Sequence, residues 1–275
     1  MDIQPIDHLY LEAASATDDL SFVAIHDISE VLRMGLDIEA RLVGGSMVTL
    51  HLYRWQLRGV QPRETRDADL GIPLLAPRVH QEIEGLLIDR GYEQENQYRY
   101  KRVVDDIPIE GSDAPRKGTL DLLSVPADAI QRAGEIEEGS GKLDMGAIAQ
   151  AISRPAVQVE VELRRLGGQV LAAQLPLADE KSAVMMKAFA WRSRKDADDA
   201  EDMWRTLEIA VAAEVHVDAW RDGKIAKIAE QTIRDAFADP SGDAIVGLSK
   251  LRNLSADGTQ SLYTRIQALM KRLFG

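Results

Sequence analysis

Thr65-Arg66-Asp67-Ala68-Asp69-Leu70-Gly71 is the stretch on which the reading of this chain turns. It leads into Ile72-Pro73 and has the character of a strand over Thr65 to Ile72. Side chains alternate across a strand, so the carboxylates of Asp67 and Asp69 leave it from the same face and converge on one point. Their mutual repulsion is costly unless a cation lies between them. Hard oxygen donors on a rigid strand suit magnesium, which also binds phosphates. An isolated Asp-x-Asp more often marks an ordinary solvated strand edge, so its surroundings have to decide.

Upstream, Ile38 to Val43 is short and alternating, and runs into Gly44-Gly45-Ser46 and an apolar stretch to Tyr53, the pattern of a strand, a glycine turn and a helix. Two readings stand here. Missing side chains let backbone N–H groups and the positive helix end approach a phosphate, with Ser46 as cap and hydroxyl donor. Alternatively the glycines only supply backbone freedom at a turn. Downstream, Asp121 sits inside the apolar run Gly118 to Leu123, expected to be a strand, and a charge so placed needs a partner. That partner is either a metal or an arginine from Arg63, Arg66 or Arg116.

The 275 residues contain no cysteine, which excludes disulfides, thiolate zinc sites and cysteine nucleophiles. The five histidines show no zinc spacing. Gly139-Ser140-Gly141-Lys142 fails as a P-loop at both ends, and Gly44 to Val48 lacks the last glycine of a hydrolase elbow. Met1 to Asp7 lacks the layout of a signal peptide and no apolar run approaches a membrane span, so a cytoplasmic protein is expected. A formal charge of -12 argues against a generally basic surface, so any nucleic-acid contact has to be local.

The rest of the pattern predicts a mixed α/β first half and a helical end. Helices are expected over Thr17 to Met34, capped by Thr17 or Asp18, and over Arg78 to Arg90; a further strand is expected over Tyr98 to Val104. Residues 126 to 154, with four glycines and the acidic run Glu135 to Glu138, predict an excursion of doubtful regularity. Val157 to Leu163 and Gln169 to Leu175 around Gly167-Gly168 predict a hairpin with a primed two-residue turn. Four helices follow, over Asp179 to Arg194, Asp196 to Glu214, Val217 to Ala238 and Thr259 to Phe274. The expected division is an α/β domain over 1–177 and a helical domain over 178–275.

Leu42-Val43-Gly44-Gly45-Ser46, Arg63 to Asp69, Lys187-Ala188 and Lys195-Asp196-Ala197-Asp198-Asp199, in that order, resemble the motifs of the AbiEii-type nucleotidyltransferases. The resemblance spans residues 40 to 205 with gaps. It implies a polymerase-β-like nucleotidyltransferase fold, a mixed sheet with flanking helices followed by C-terminal helices. It also implies the company of type IV toxin–antitoxin toxins, some of which, the MenT toxins, transfer nucleotides to the 3′ end of tRNA. By this resemblance Gly44, Gly45, Ser46 and Arg66 bind a nucleoside triphosphate, Lys187 contacts its phosphates, and Asp67 and Asp69 hold two magnesium ions. The third carboxylate is Asp121 or Asp199. An acceptor hydroxyl then attacks the α-phosphate in line, and a cognate antitoxin is an expected partner.

Competing readings attach to the same residues. Lys187, flanked by Met185, Met186, Ala188 and Phe189, also fits a lysine snorkelling from an apolar helix, and Asp196 to Asp202 fits the solvated acidic start of a helix. Tyr98 to Arg102 interleaves aromatic and basic residues, as an RNA-contacting strand does, and equally as a two-faced strand does. At the level of function the rivals are nucleotidylation of a small hydroxylated compound such as an antibiotic, and a non-catalytic interaction protein that keeps the fold.

Overall fold

The computed structural model describes residues 4–34, 38–73, 77–104, 116–126, 143–221 and 223–275. Among these residues eight strands form one mixed sheet in the order β1-β7-β8-β2-β3-β6-β5-β4. They are β1 (His8–Glu12), β2 (Arg41–Val43), β3 (Asp67–Pro73), β4 (Tyr92–Gln94), β5 (Arg99–Val103), β6 (Lys117–Val125), β7 (Val157–Arg164) and β8 (Val170–Leu177). The pairs β1/β7, β2/β8 and β3/β6 are parallel, and the remaining neighbours are antiparallel.

The first helices are α1 (Ala16–Arg33), α2 (Gly44–Arg54), α3 (Pro77–Asp89) and α4 (Leu143–Ser153). After the sheet come α5 (Glu180–Arg194), α6 (Ala197–Ala212), α7 (Asp218–Arg221), α8 (Lys224–Ala236), α9 (Asp243–Leu251) and α10 (Ala256–Phe274). The expected fold class, a mixed α/β sheet with flanking helices followed by helices, is the one observed. No helix of the described residues is long and apolar enough to cross a membrane.

The period-2 alternation of β3 sorts its residues between two environments. Ala68, Leu70 and Ile72 enter a core shared with Leu120 and Leu122 of β6 and with Leu20, Val23, Ala24 and Ile28 of α1. Asp67 and Asp69 therefore emerge on the opposite face. On that side a second core joins Val43, Met47 and Val48 to Val184, Ala188, Met203, Trp204 and Leu207 of α5 and α6, and continues into α8 and α10. This shared core packs the helices that follow the sheet against α2, which is what sets α5 and α6 opposite the carboxylates.

Several local expectations are corrected. The N-cap of α1 is Ser15, whose side chain accepts from the Asp18 amide, in place of Thr17 or Asp18. Within 126–154, Leu143–Ser153 is a helix: Ala147, Ile148, Ala149, Ala151 and Ile152 are buried despite the glycines around them. Glu135 to Glu138 and Gly139 to Lys142 lie outside the described residues. The helix expected over Val217 to Ala238 breaks into α7 and α8, with Gly223 at φ 88° between them. β1, β4 and α9 were not anticipated. They are short, and α9 follows the punctuation of Pro240-Ser241-Gly242.

The β7/β8 hairpin forms as expected but turns differently. The Gly168 amide donates to the Arg165 carbonyl and the Arg165 amide to the Gln169 carbonyl, with Gly168 at φ 83°, so residues 166 to 168 make a three-residue loop whose last position is left-handed. Open space surrounds both glycines, so conformation alone separates them. Gly168→Ala is expected to lower stability by about 1 kcal/mol. Gly167→Ala should be neutral to within about 0.5 kcal/mol, or slightly stabilising, in urea unfolding.

Candidate active site

β3 and β6 run parallel with Asp69 opposite Asp121, and Asp67 lies two residues back along the same face. β2 pairs on the other side of β3, with Val43 opposite Asp69, so the start of α2 abuts the carboxylates. Gly44 is at φ 72°, and a β-carbon there would come within 1.7 Å of Asp69 Oδ2. Gly44 thus makes the left-handed turn from β2 into α2 and leaves room for the Asp69 carboxylate over the helix N-terminus, where negative charge is favoured. At Gly45 a β-carbon would meet the Thr65 hydroxyl at 2.8 Å, with Arg63 Nη2 at 3.4 Å.

These groups border a cleft of about 670 Å³ between the sheet and α5/α6. From the sheet side Gly45, Arg63, Thr65, Arg66, Asp67, Asp69, Arg99 and Asp121 line it, and from the helices Lys187, Arg194, Asp198 and Asp199. The structure therefore gathers Asp67, Asp69, Asp121, Lys187, Asp199, Gly45 and Arg66 around one space, with Gly44 directly behind Asp69.

Ser46 is placed differently. It is buried, its hydroxyl donates to the Asp67 carbonyl at 3.0 Å and lies 3.3 Å from the Ser21 hydroxyl, and α2 carries no side-chain cap. The capping expected of Ser46 is corrected accordingly: its hydroxyl fastens α2 to the backbone of β3. His51 packs inside α2, with Nε2 donating to the Ala178 carbonyl at 2.8 Å.

The negative charge is only partly balanced. Arg99, directly opposite Asp121 on β5, donates to both its oxygens, Nε to Oδ1 at 2.8 Å and Nη2 to Oδ2 at 2.7 Å, and its Nη2 is 3.7 Å from Asp67 Oδ2. The arginine partner of Asp121 is therefore Arg99, and not Arg63, Arg66 or Arg116. Among the described residues no donor is hydrogen-bonded to the side chain of Asp69. Burial first, and the Asp121 charge second, push its carboxyl up to about 7, with Lys187 pulling the other way. Asp67 is also raised, by burial and then by Asp121.

Across the cleft the charges are firmly paired. Lys187 is buried and donates to Asp202 Oδ2 at 2.8 Å, Arg63 reaches Asp198 at 3.0 Å and Asp202 at 3.2 Å, and Arg205 reaches Asp202 at 3.3 Å. Against the penalty of burial, Lys187 and then Arg63 hold the Asp202 carboxyl below its ordinary value. Lys187 thus snorkels into the cleft's wall and not to the outer surface. Asp199 is buried and takes a two-pronged contact from Arg194, at 2.8 and 2.6 Å. Lys195, left-handed at φ 57°, ends α5, and Asp196 caps α6 through the Asp198 amide, so this motif is the corner that aims both helices at the cleft. The acidic run is not simply a solvated helix start, because Asp199, Glu201 and Asp202 are all buried.

Arg99, Arg194 and Asp202 were not singled out as site residues from sequence. The signal for Asp202 is its spacing from Asp199, which places both on one face of α6. Arg99 gives no local signal, since its partner is set by strand pairing. The strand carrying it has little basic surface left over: Tyr100 is buried, Lys101 pairs with Glu95, and Arg102 bonds Asp27 at 2.7 Å.

No family model matches the chain, and no curated protein matches it. Among solved structures it is similar to an antigenic nucleotidyltransferase-like protein from Paracoccidioides brasiliensis, with TM-score 0.47 and 17% identity over 82% of this chain and 92% of that one. It is also similar to the antibiotic-resistance factor ANT(2'')-Ia, with TM-score 0.41 and 14% identity over 80% of this chain and 95% of that one. Likenesses at this level decide neither fold family nor chemistry, and the side chains of the cleft have to carry the functional reading.

Two substitutions probe the electrostatics. Asp69 is faced by Asp67, Asp121, Lys187 and Arg99, and its carboxyl rises from an ordinary 3.8 to about 7. A raised acid favours the proton in the folded state, so the metal-free protein should lose stability as pH climbs between those two values and keep the deficit above them. Asp69→Asn should accordingly gain on the order of 2 kcal/mol over the parent at pH 8, in urea unfolding. The gain should vanish near pH 4, and a pH-independent difference would count against the charge as its source. Gly44→Ala, which must displace the Asp69 carboxylate and adopt a strained φ, should cost on the order of 3 kcal/mol in the same measurement.

Proposed function

We propose that this chain is a nucleotidyltransferase of the polymerase-β-like kind, transferring a nucleoside monophosphate from a nucleoside triphosphate to an acceptor hydroxyl. One observation carries the reading: Asp69 and Asp121 are register partners, with Asp67 on the same face of β3, across one cleft from Lys187. Carboxylates facing cations across a cleft suit a substrate whose phosphates need both a metal and direct positive contacts.

The donor set fits magnesium in its chemistry: the carboxylates are oxygen donors only, and among the described residues Asp69 has no hydrogen-bonded countercharge. As the side chains stand, no group of three acidic or imidazole residues among those described is arranged to hold a metal ion. Asp67 and Asp69 are the pair that would hold magnesium, and Asp121 would join once Arg99 releases it. When bound, magnesium supplies charge neutralisation of the triphosphate and stabilisation of the attacking and leaving oxygens.

The remaining work falls to the protein's own groups. Lys187, fixed by Asp202, presents an ammonium to the phosphates; Arg66 adds positive charge at the mouth, and Arg194 is steered by Asp199. The glycine corner at Gly44 and Gly45 brings backbone amides of α2 to the same cleft. The third carboxylate is better sought in Asp121, the neighbour of Asp69, than in Asp199, which is engaged with Arg194.

The ordered motifs support an AbiEii-type toxin acting on the 3′ end of tRNA, opposed by an antitoxin, with two magnesium ions at the carboxylates. The pairing of Lys101 with Glu95 and of Arg102 with Asp27 favours a second acceptor class, a small hydroxylated compound, since it leaves β5 little charge for RNA. Incubation with each α-labelled nucleoside triphosphate, magnesium and, in separate arms, total RNA, protein or a panel of hydroxylated antibiotics separates the readings. The expected result is label on one acceptor class, reduced about 10²-fold or more by Asp67→Asn and by Lys187→Ala. No label on RNA, protein or small acceptors from a protein that folds and binds nucleotide would favour a non-catalytic interaction module.

A further inference from the structure

Arg99 occupies a position that the proposed chemistry must contest. It projects from β5 at the register position opposite Asp121 and forks both of its oxygens, while the same guanidinium sits 3.7 Å from Asp67. Asp121 is nearly buried, with 8% of its side chain exposed, whereas Arg99 is 33% exposed at the edge of the cleft. A carboxylate with both oxygens bound to one fork has little left to offer a second cation. Asp69, to which no side chain among the described residues is hydrogen-bonded, remains beside it.

We propose that Arg99 is a positioning residue that stands in for the divalent cation in the metal-free protein: it holds Asp121 and steadies Asp67, and it must let go of Asp121 before the metal site is complete. The exchange is one of charge for charge. Bringing Asp121 beside Asp69 on adjoining strands without a countercharge would place like charges at close range. The arginine permits that arrangement during folding, and an entering cation replaces it on the same oxygens. Arg99 thereby sets the metal affinity of the site, because binding energy is spent in breaking a two-pronged ion pair. The inference rests on the carboxylates being the metal site put forward above.

The test uses the whole chain and Mn2+ alone as the probe, with calorimetric titration for affinity and thermal unfolding without metal for stability. Arg99→Ala should bind Mn2+ about tenfold tighter than the parent. Its metal-free melting temperature should fall by about 2–4 °C and recover on adding Mn2+. Arg99→Lys, which keeps the charge and loses the fork, should also bind more tightly than the parent. In an Asp121→Asn background, Arg99→Ala should raise Mn2+ affinity far less than it does with Asp121 present, which separates occupation of Asp121 from a general loss of positive charge near Asp67.

Unchanged or weaker Mn2+ binding in Arg99→Ala would overturn the proposal, and so would an equal gain in the Asp121→Asn background. If Mn2+ binding is abolished by Asp67→Asn but indifferent to Arg99, the carboxylate site survives and only the role of Arg99 falls. If neither the parent nor Arg99→Ala binds Mn2+ at all, the metal site falls and this inference with it.

Discussion

Asp69 and Asp121 are neighbours on adjoining parallel strands, with Asp67 two residues along, and the strands cannot shift register by one residue without turning their apolar side chains out of the core. The repulsion is therefore built into the sheet. Its surroundings are answers to it: the side-chain-free corner at Gly44 that lets the Asp69 carboxylate lean over a helix N-terminus, the fork of Arg99, and Lys187 on α5 opposite. None fully compensates Asp69, whose carboxyl is pushed up to about 7 by burial first and by Asp121 second. A protein that keeps such an unbalanced group in a cleft sacrifices stability at a place where a ligand can restore it.

The helical side of the cleft follows a different logic. Asp202 is buried, but it has Lys187, Arg63 and Arg205 around it, so it is well compensated. It acts as an anchor, tying the Arg63 segment that precedes β3 to α5 and α6, while Asp199 does the same for Arg194. One wall is rigidly neutralised and the other is left acidic. That asymmetry gives the cleft a direction, with paired charges along the helices and an uncompensated carboxylate on the sheet.

How much of this could be read from sequence follows from the range of each interaction. The Asp67/Asp69 pair was legible because strand alternation is local, and Asp121 because a charge inside Leu120 to Leu123 is conspicuous. The β7/β8 hairpin was legible for the same reason, while its turn was misjudged because Gly167-Gly168 fits two loop lengths. Arg99 was out of reach: the partner of Asp121 depends on β5 pairing with β6, which no spacing in the chain encodes. Ser46 was mistaken for a cap because its neighbourhood is the backbone of a strand 21 residues away. The helix Leu143–Ser153 was obscured by the glycines of this stretch; Gly146 is carried in it by burial of Ala147, Ile148, Ala149, Ala151 and Ile152.

The order of strands also has a bearing on how the molecule is assembled. β2 is three residues long, and on one side its partner is β8, which is made only after a further 130-odd residues and meets it at the single register pair Leu42 and Leu177. During synthesis the hydrogen-bonding edge of β2 stays open until β8 emerges, and α5 and α6 follow immediately behind. The two halves of the sheet and the far wall of the cleft are thus completed within one late stretch of chain. A nascent protein of this design cannot form its charged pocket until β8, α5 and α6 have all been made.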